Sequence, residues 1–137
     1  MNPQMDPWPE RFSERLLIFA HGEAFDVDAF LAASALNPDY VWRRVRPMTS
    51  GIEIVLGDGR KVRPAAQEKI ATAFLKAHEQ ELKELRRFPG VETLILGLAY
   101  ICPVEATGIA VTASPQLMRQ ADDLGIASIY YITIDRR

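Results

Sequence analysis

From Pro64 to Phe88 the apolar side chains recur every three or four residues. Stepping 100° per residue puts Ala66, Ile70, Ala71, Phe74, His78, Leu82, Leu85 and Phe88 on one side, with Glu68, Lys69, Thr72, Lys76, Glu79, Gln80, Lys83, Arg86 and Arg87 opposite. This pattern predicts one long amphipathic helix, opened by Pro64 at a first helical position and stopped by Pro89-Gly90. At 1.5 Å per residue, about 24 residues give a rod of about 36 Å that needs a large apolar surface to lie on. His78 sits inside the apolar arc among Phe74, Leu82 and Leu85, and with no nucleophile or carboxylate placed to meet it, a structural role is expected.

The flanking segments supply that surface. Arg15 to His21 and Glu92 to Cys102 are apolar on both faces and read as interior strands. Between the first of these and residue 40, Asp26 is placed to cap a short helix that runs to about Leu36, with Phe25 stapled onto Phe30 and Asn37-Pro38 as the stop. Tyr40 to Val45 reads as a second strand. Ile52 to Leu56, the turn Gly57-Asp58-Gly59 and the return Arg60 to Arg63 read as a hairpin. Gly108 to Ala113 reads as a further strand. Ser114-Pro115 then opens a helix whose inner face carries Leu117, Met118, Ala121 and Leu124 and whose stop is Gly125. Ile126 to Ile134 is the last strand. The predicted order is β-α-β-β-β-α-β-β-α-β, an α+β two-layer sandwich: a mostly antiparallel sheet, one long central helix and two shorter ones. Leu94, Leu96, Leu98, Phe74, Leu82, Leu85, Ile18 and Ile132 are expected in one core.

Length and composition fit this picture. The chain has 137 residues, 48% hydrophobic and 25% charged, enough for one domain over residues 15–137 preceded by an arm at residues 1–14. The arm holds Pro3, Pro7 and Pro9, shows no period, and is expected to be mobile. Asp6 and Glu10 stand where a signal peptide would be basic, and no stretch approaches a membrane span, so a cytoplasmic protein is expected. The single cysteine, Cys102, excludes an internal disulfide and a multi-thiolate zinc site, and a buried inert thiol is expected. The net charge of −2 is uneven, because residues 40–64 carry six bases and two acids on an otherwise acidic chain. That local excess is too small for a dedicated nucleic-acid binder.

No cofactor motif and no metal-ligand spacing stands out. Gly57-Asp58-Gly59 lacks the spacing and following helix of a phosphate loop. His21, Glu23, Asp26 and Asp28 gather at a strand-to-helix junction, but Asp26 and Asp28 have capping and dipole roles, leaving His21 and Glu23 as a candidate pocket. The strongest set is Tyr40, Trp42, Arg43, Arg44 and Arg46, the residue types that anchor protein interfaces. A single-stranded nucleic acid surface uses the same types, and an alternating strand with its aromatics in the core is the structural alternative.

RLLIFAHGEAFDVDAFLAASAL followed by NPDYVWRR, together with the closing SPQLMRQADDLGIASIYYI, resembles the bacterial family called domain of unknown function 4279. The likeness spans Arg15 to Ile134 and consists of an opening strand, a G-x-x-F-D turn into a helix, a tryptophan segment and an aromatic strand at the end. Where that family often has a glycine soon after the tryptophan, this chain has Arg44 and Val45. The resemblance implies an α+β fold and bacterial origin and carries over no catalytic residue. By analogy with small domains that antagonise toxins, it suggests a binding protein. The expectation is therefore a non-enzymatic protein-binding module without cofactor or metal. Its partner is another protein, with a homo-oligomer left open, and a small enzyme or ligand sensor at His21 and Glu23 is the alternative.

Overall fold

A computed structural model of the chain describes residues 15–43, 49–58, 62–102 and 113–135. The strands are β1 (Arg15–Gly22), β2 (Tyr40–Trp42), β3 (Ser50–Asp58), β4 (Thr93–Cys102) and β5 (Ser128–Asp135). The helices are α1 (Val27–Ala33), α2 (Pro64–Ala77), α3 (Glu79–Arg87) and α4 (Pro115–Asp123). The strands form one sheet in the order β2-β3-β1-β4-β5. Neighbours from β2 to β4 are antiparallel, while β5 runs parallel to β4. That parallel pair needs a crossover, and α4 lies in it.

Alternation along the strands sorts the side chains onto two faces. Leu16, Ile18, Ala20, Ile52, Ile54, Leu94, Leu96 and Leu98 meet the helices' Phe25, Phe30, Ala71, Leu75, Leu82, Leu85, Leu117 and Ala121 in one buried cluster. The opposite face holds a second cluster of Leu17, Phe19 and Trp42, with Ile95 packed against it. Six of the eight residues expected in the core fall as anticipated: five buried leucines, and Ile18 beside them. Phe74 is half-buried against the cluster, and the Ile132 and Cys102 side chains lie outside the described set.

Three expectations change. The single long helix is two, because His78, at φ −117° and ψ 25°, leaves helical geometry between α2 and α3. The backbone bonds His78 N–H to Phe74 O and Leu82 N–H to His78 O, both 2.9 Å, continue across it, so α3 follows α2 directly with one non-helical residue between them. Both segments reach the core, α2 through Ala71 and Leu75 and α3 through Leu82 and Leu85. The buried stripe is Gln67, Ala71 and Leu75, then Leu82 and Leu85, while Ala66 is exposed. Second, the described part of the return strand expected at Arg60 to Arg63 is not a strand: Val62 and Arg63 lead into α2, with Arg63 as its N-cap, and β3 has β1 and β2 on its two sides, while Arg60 and Lys61 lie outside the described residues. Third, Met118 is 56% exposed and not on the inner face of α4. The element order is accordingly β-α-β-β-α-α-β-α-β. Residues 108–112 of the strand expected at Gly108 to Ala113, and the arm at residues 1–14, lie outside the described residues, and Ala113 itself is not in a strand.

Leu96 is fully buried on β4, between β1 and β5. Leu96→Ala should cost about 2 to 5 kcal/mol in urea unfolding. A loss below about 1 kcal/mol would be incompatible with a central β4.

Candidate functional site

The turn from β1 into α1 is built as its residues dictate. The Asp26 carboxylate accepts the Ala29 N–H at 3.0 Å, capping the helix. Phe25, Phe30 and Phe88 form an edge-to-face trio with centroids 5.3 to 5.9 Å apart, fastening the turn to the end of α3. Backbones touch here: a Cβ on Gly22 would lie 1.8 Å from the Gly90 oxygen, and one on Gly90, whose φ is +90°, would lie 2.1 Å from the Ala24 oxygen. The Glu92 N–H donates to the His21 oxygen at 2.9 Å and locks the contact.

His21 ends β1 on the face opposite the main core. Its ring stacks on Phe19 at 5.8 Å, and Nδ1 is 3.3 Å from Thr49 Oγ1. Glu23 joins the site through its backbone, whose N–H donates to the Glu92 carboxylate. Burial lowers the His21 pKa, and the nearby Glu92 charge opposes the shift only in part. Asp28 is engaged elsewhere, so His21, Glu23, Asp26 and Asp28 divide among local tasks. Among the described residues no group of three or more His, Cys, Asp or Glu could hold a metal ion. Glu92 and Thr49 belong to the His21 neighbourhood and escaped sequence reasoning, since each is brought there by a different strand end.

Of the aromatic and arginine set, Tyr40 and Trp42 lie on β2, the outermost strand on its side, and Arg43 follows directly after it. Trp42 is 6% exposed and packs with Leu17 and Phe19. Its register partner is Gly51, where a Cβ would meet the indole Cζ2 at 2.2 Å, so the glycine makes room for the ring to lie over β3. The ring is thus seated on the sheet and does not project as an exposed anchor. Tyr40 is half-buried on the same face, with the Arg15 guanidinium 5.1 Å above its ring. Arg43 is exposed and grips Asp28 with two bonds, Nη2 to Oδ1 at 2.7 Å and Nε to Oδ2 at 3.2 Å. These hydrogen bonds hold the Asp28 carboxyl below its ordinary range and push the Arg43 pKa up. Arg44 and Arg46 lie outside the described residues.

The strand is kept short by its own entry. The Asp39 N–H donates to the Glu53 oxygen at 2.9 Å, and the Asp39 carboxylate accepts the Val55 N–H at 2.7 Å, standing where another β2 carbonyl would be. A depression of about 400 Å³ between α2 and α4 is lined by Glu68, Lys69, Thr72, Lys76, Ser114 and Gln116. Two bonds already tie its walls together: Ser114 N–H to Glu68 at 2.9 Å and Gln120 Nε2 to the Thr72 oxygen at 3.1 Å. No protein-family model, curated protein or solved structure matches the chain significantly.

Two expected outcomes follow from this geometry. Gly51→Ala forces its Cβ against the indole and against the Ala20 oxygen, 2.5 Å away, and should destabilise by about 1 to 3 kcal/mol while shifting tryptophan emission. Chemical unfolding followed by fluorescence checks both. For His21, a folded pKa below the ordinary value of about 6.5 means that the unfolded chain takes up the proton first as pH falls. Its contribution is whole above about pH 6.5 and is lost as pH drops toward the folded value. His21→Gln should flatten the stability curve in that window, and an unaltered slope would show that other groups set it.

Proposed function

We infer that the chain is a protein-binding module of the bacterial cytosol, antagonist-like and not an enzyme, and that it docks its partner along the β2 edge. The observation that supports this is the Arg43 fork, held at the surface by Asp28 just past the end of the outermost strand. A guanidinium already oriented loses less freedom on pairing with a partner carboxylate than a free one does. Arg44 and Arg46 follow Arg43 in sequence. The burial of Trp42 moves the anchoring role from the indole to Tyr40 and Arg43. Among the described residues no helix is long and apolar enough to cross a membrane. Kinship with the family of domain of unknown function 4279 belongs to this proposal and is supported by the segments that resemble it.

The second reading, a small enzyme or ligand sensor at His21 and Glu23, is favoured by the meeting of His21, Thr49 and Glu92 on one side of the Gly22 turn. It predicts that a small ligand perturbs the His21 ring resonances.

A photoreactive residue at position 43 should crosslink a protein from bacterial lysate. With that partner purified, Arg43→Ala should weaken binding about tenfold or more while leaving the melting temperature almost unmoved, because the Asp28 pair is exposed. An adduct pattern no different from that of the same probe at Glu84 would sink the reading. A steep fall of affinity for any single-stranded oligonucleotide with salt would point to nucleic acid instead.

A further inference from the structure

The two edges of the sheet are unlike. The β2 edge has three residues and is ended by Asp39. The β5 edge has eight, Ser128 to Asp135, of sequence SIYYITID, and among the described residues β5 pairs with β4 alone. It has neither proline nor lysine, the devices by which an edge is commonly kept from pairing, and its residues favour strands. Alternate residues along it direct backbone N–H and C=O groups away from β4.

The flank of α4 above this edge carries a second, independent signal. Leu117, Ala121 and Leu124 face the core. Gln120 bonds to α2, and Gln116 lines the depression shared with α2, which fixes the side of α4 turned toward that helix. At 100° per residue Met118 and Asp122 then fall on the other flank, toward the β5 edge. Met118 is the exposed large hydrophobic of the described residues. Arg119 and Asp122 are exposed one turn apart, and no ion pair joins either to another described residue.

We propose that the β5 edge and the outer flank of α4 are a homodimer interface, whose occupant is a second copy of this chain. A two-fold axis beside β5 pairs the strand antiparallel with its copy, in a register that sets a residue such as Tyr131 opposite the same residue of the second copy, and extends the sheet to ten strands. The same axis sets the two α4 helices side by side and antiparallel. Helices above adjacent edge strands stand about 10 Å apart, a gap that long side chains fill, and Met118 has the length and polarity for it. Antiparallel helices also bring Arg119 of one copy toward Asp122 of the other, twice by symmetry, so the surface complements itself in charge as a two-fold contact must.

The full chain should sediment as a dimer of twice the monomer mass at micromolar concentration. Met118→Lys, at a position that is exposed in the monomer, should weaken dimerisation about tenfold or more with an unchanged far-ultraviolet spectrum. Arg119→Glu and Asp122→Arg should each weaken it, and the double variant should recover most of the loss, a response that a merely structural role does not produce. A monomer at every concentration up to about 1 mM would overturn the proposal. So would a dimer indifferent to Met118→Lys and to both charge reversals, or a different protein holding this edge of a monomeric chain.

Discussion

Everything in this fold is referred to β1, the strand that is paired on both sides and buried on both faces. Its ladder to β3 and its ladder to β4 are both antiparallel, and its side chains divide strictly: Leu16, Ile18 and Ala20 toward the helices, Leu17 and Phe19 away. A slip of one residue in either ladder would exchange the two sets, putting Phe19 under the helices and Ile18 on the other side. The register shift at Leu16/Leu17 is where the β3 ladder absorbs one extra residue, Leu56, without disturbing that division. Two-sided burial also explains the short local polar segments. Among the described residues, chemistry-bearing side chains stand near the end of β1, at His21, on the neighbouring β3, at the buried Glu53, and just past the end of β2, at Arg43.

That placement shapes what the surface can offer. The His21 corner is tight because two backbones meet there, so its polar groups are already tied to one another: Glu92 to the Glu23 amide, Thr49 to His21. The β2 edge is different, because among the described residues Arg43 is bound to the exposed Asp28 alone, and exposed pairs exchange partners at little cost. The first arrangement favours order and the second favours recognition.

Local patterns were readable from sequence. Asp26 and Ser114 cap their helices with the bonds their positions called for, Phe25 meets Phe30, and Gly125, at φ +72°, ends α4. The two-sided apolar runs became β1 and β4. What escaped depended on distant neighbours. Nothing in Arg60 to Arg63 could reveal that β3 would have both its sides taken, and nothing in Ala77-His78-Glu79 marks the residue at which the helix is interrupted. The buried Trp42 depends on Gly51, a residue whose role appears only when the two strands are set in register. Gln67 is fully buried in a stripe the periodic count had given to Ala66, and it is tolerated because its side chain donates to the Val62 oxygen at 2.8 Å. Of the candidate site, Arg43 was legible as a residue type, whereas its fastening to Asp28 was not.

The contact of Gly22 with Gly90 carries one more consequence, for how such a chain can change over time. At most crowded positions an enlarged side chain can be accommodated by trimming its neighbour, so a second mutation rescues the first. Here the obstructing atoms belong to the peptide backbone, the Gly90 carbonyl for Gly22 and the Ala24 carbonyl for Gly90. No compensating substitution in the side chains can make space. Suppressors of a Gly22 or Gly90 variant would have to lengthen or reroute the loop between α3 and β4, which makes this corner a fixed point of the sequence while the helix surfaces remain free to drift.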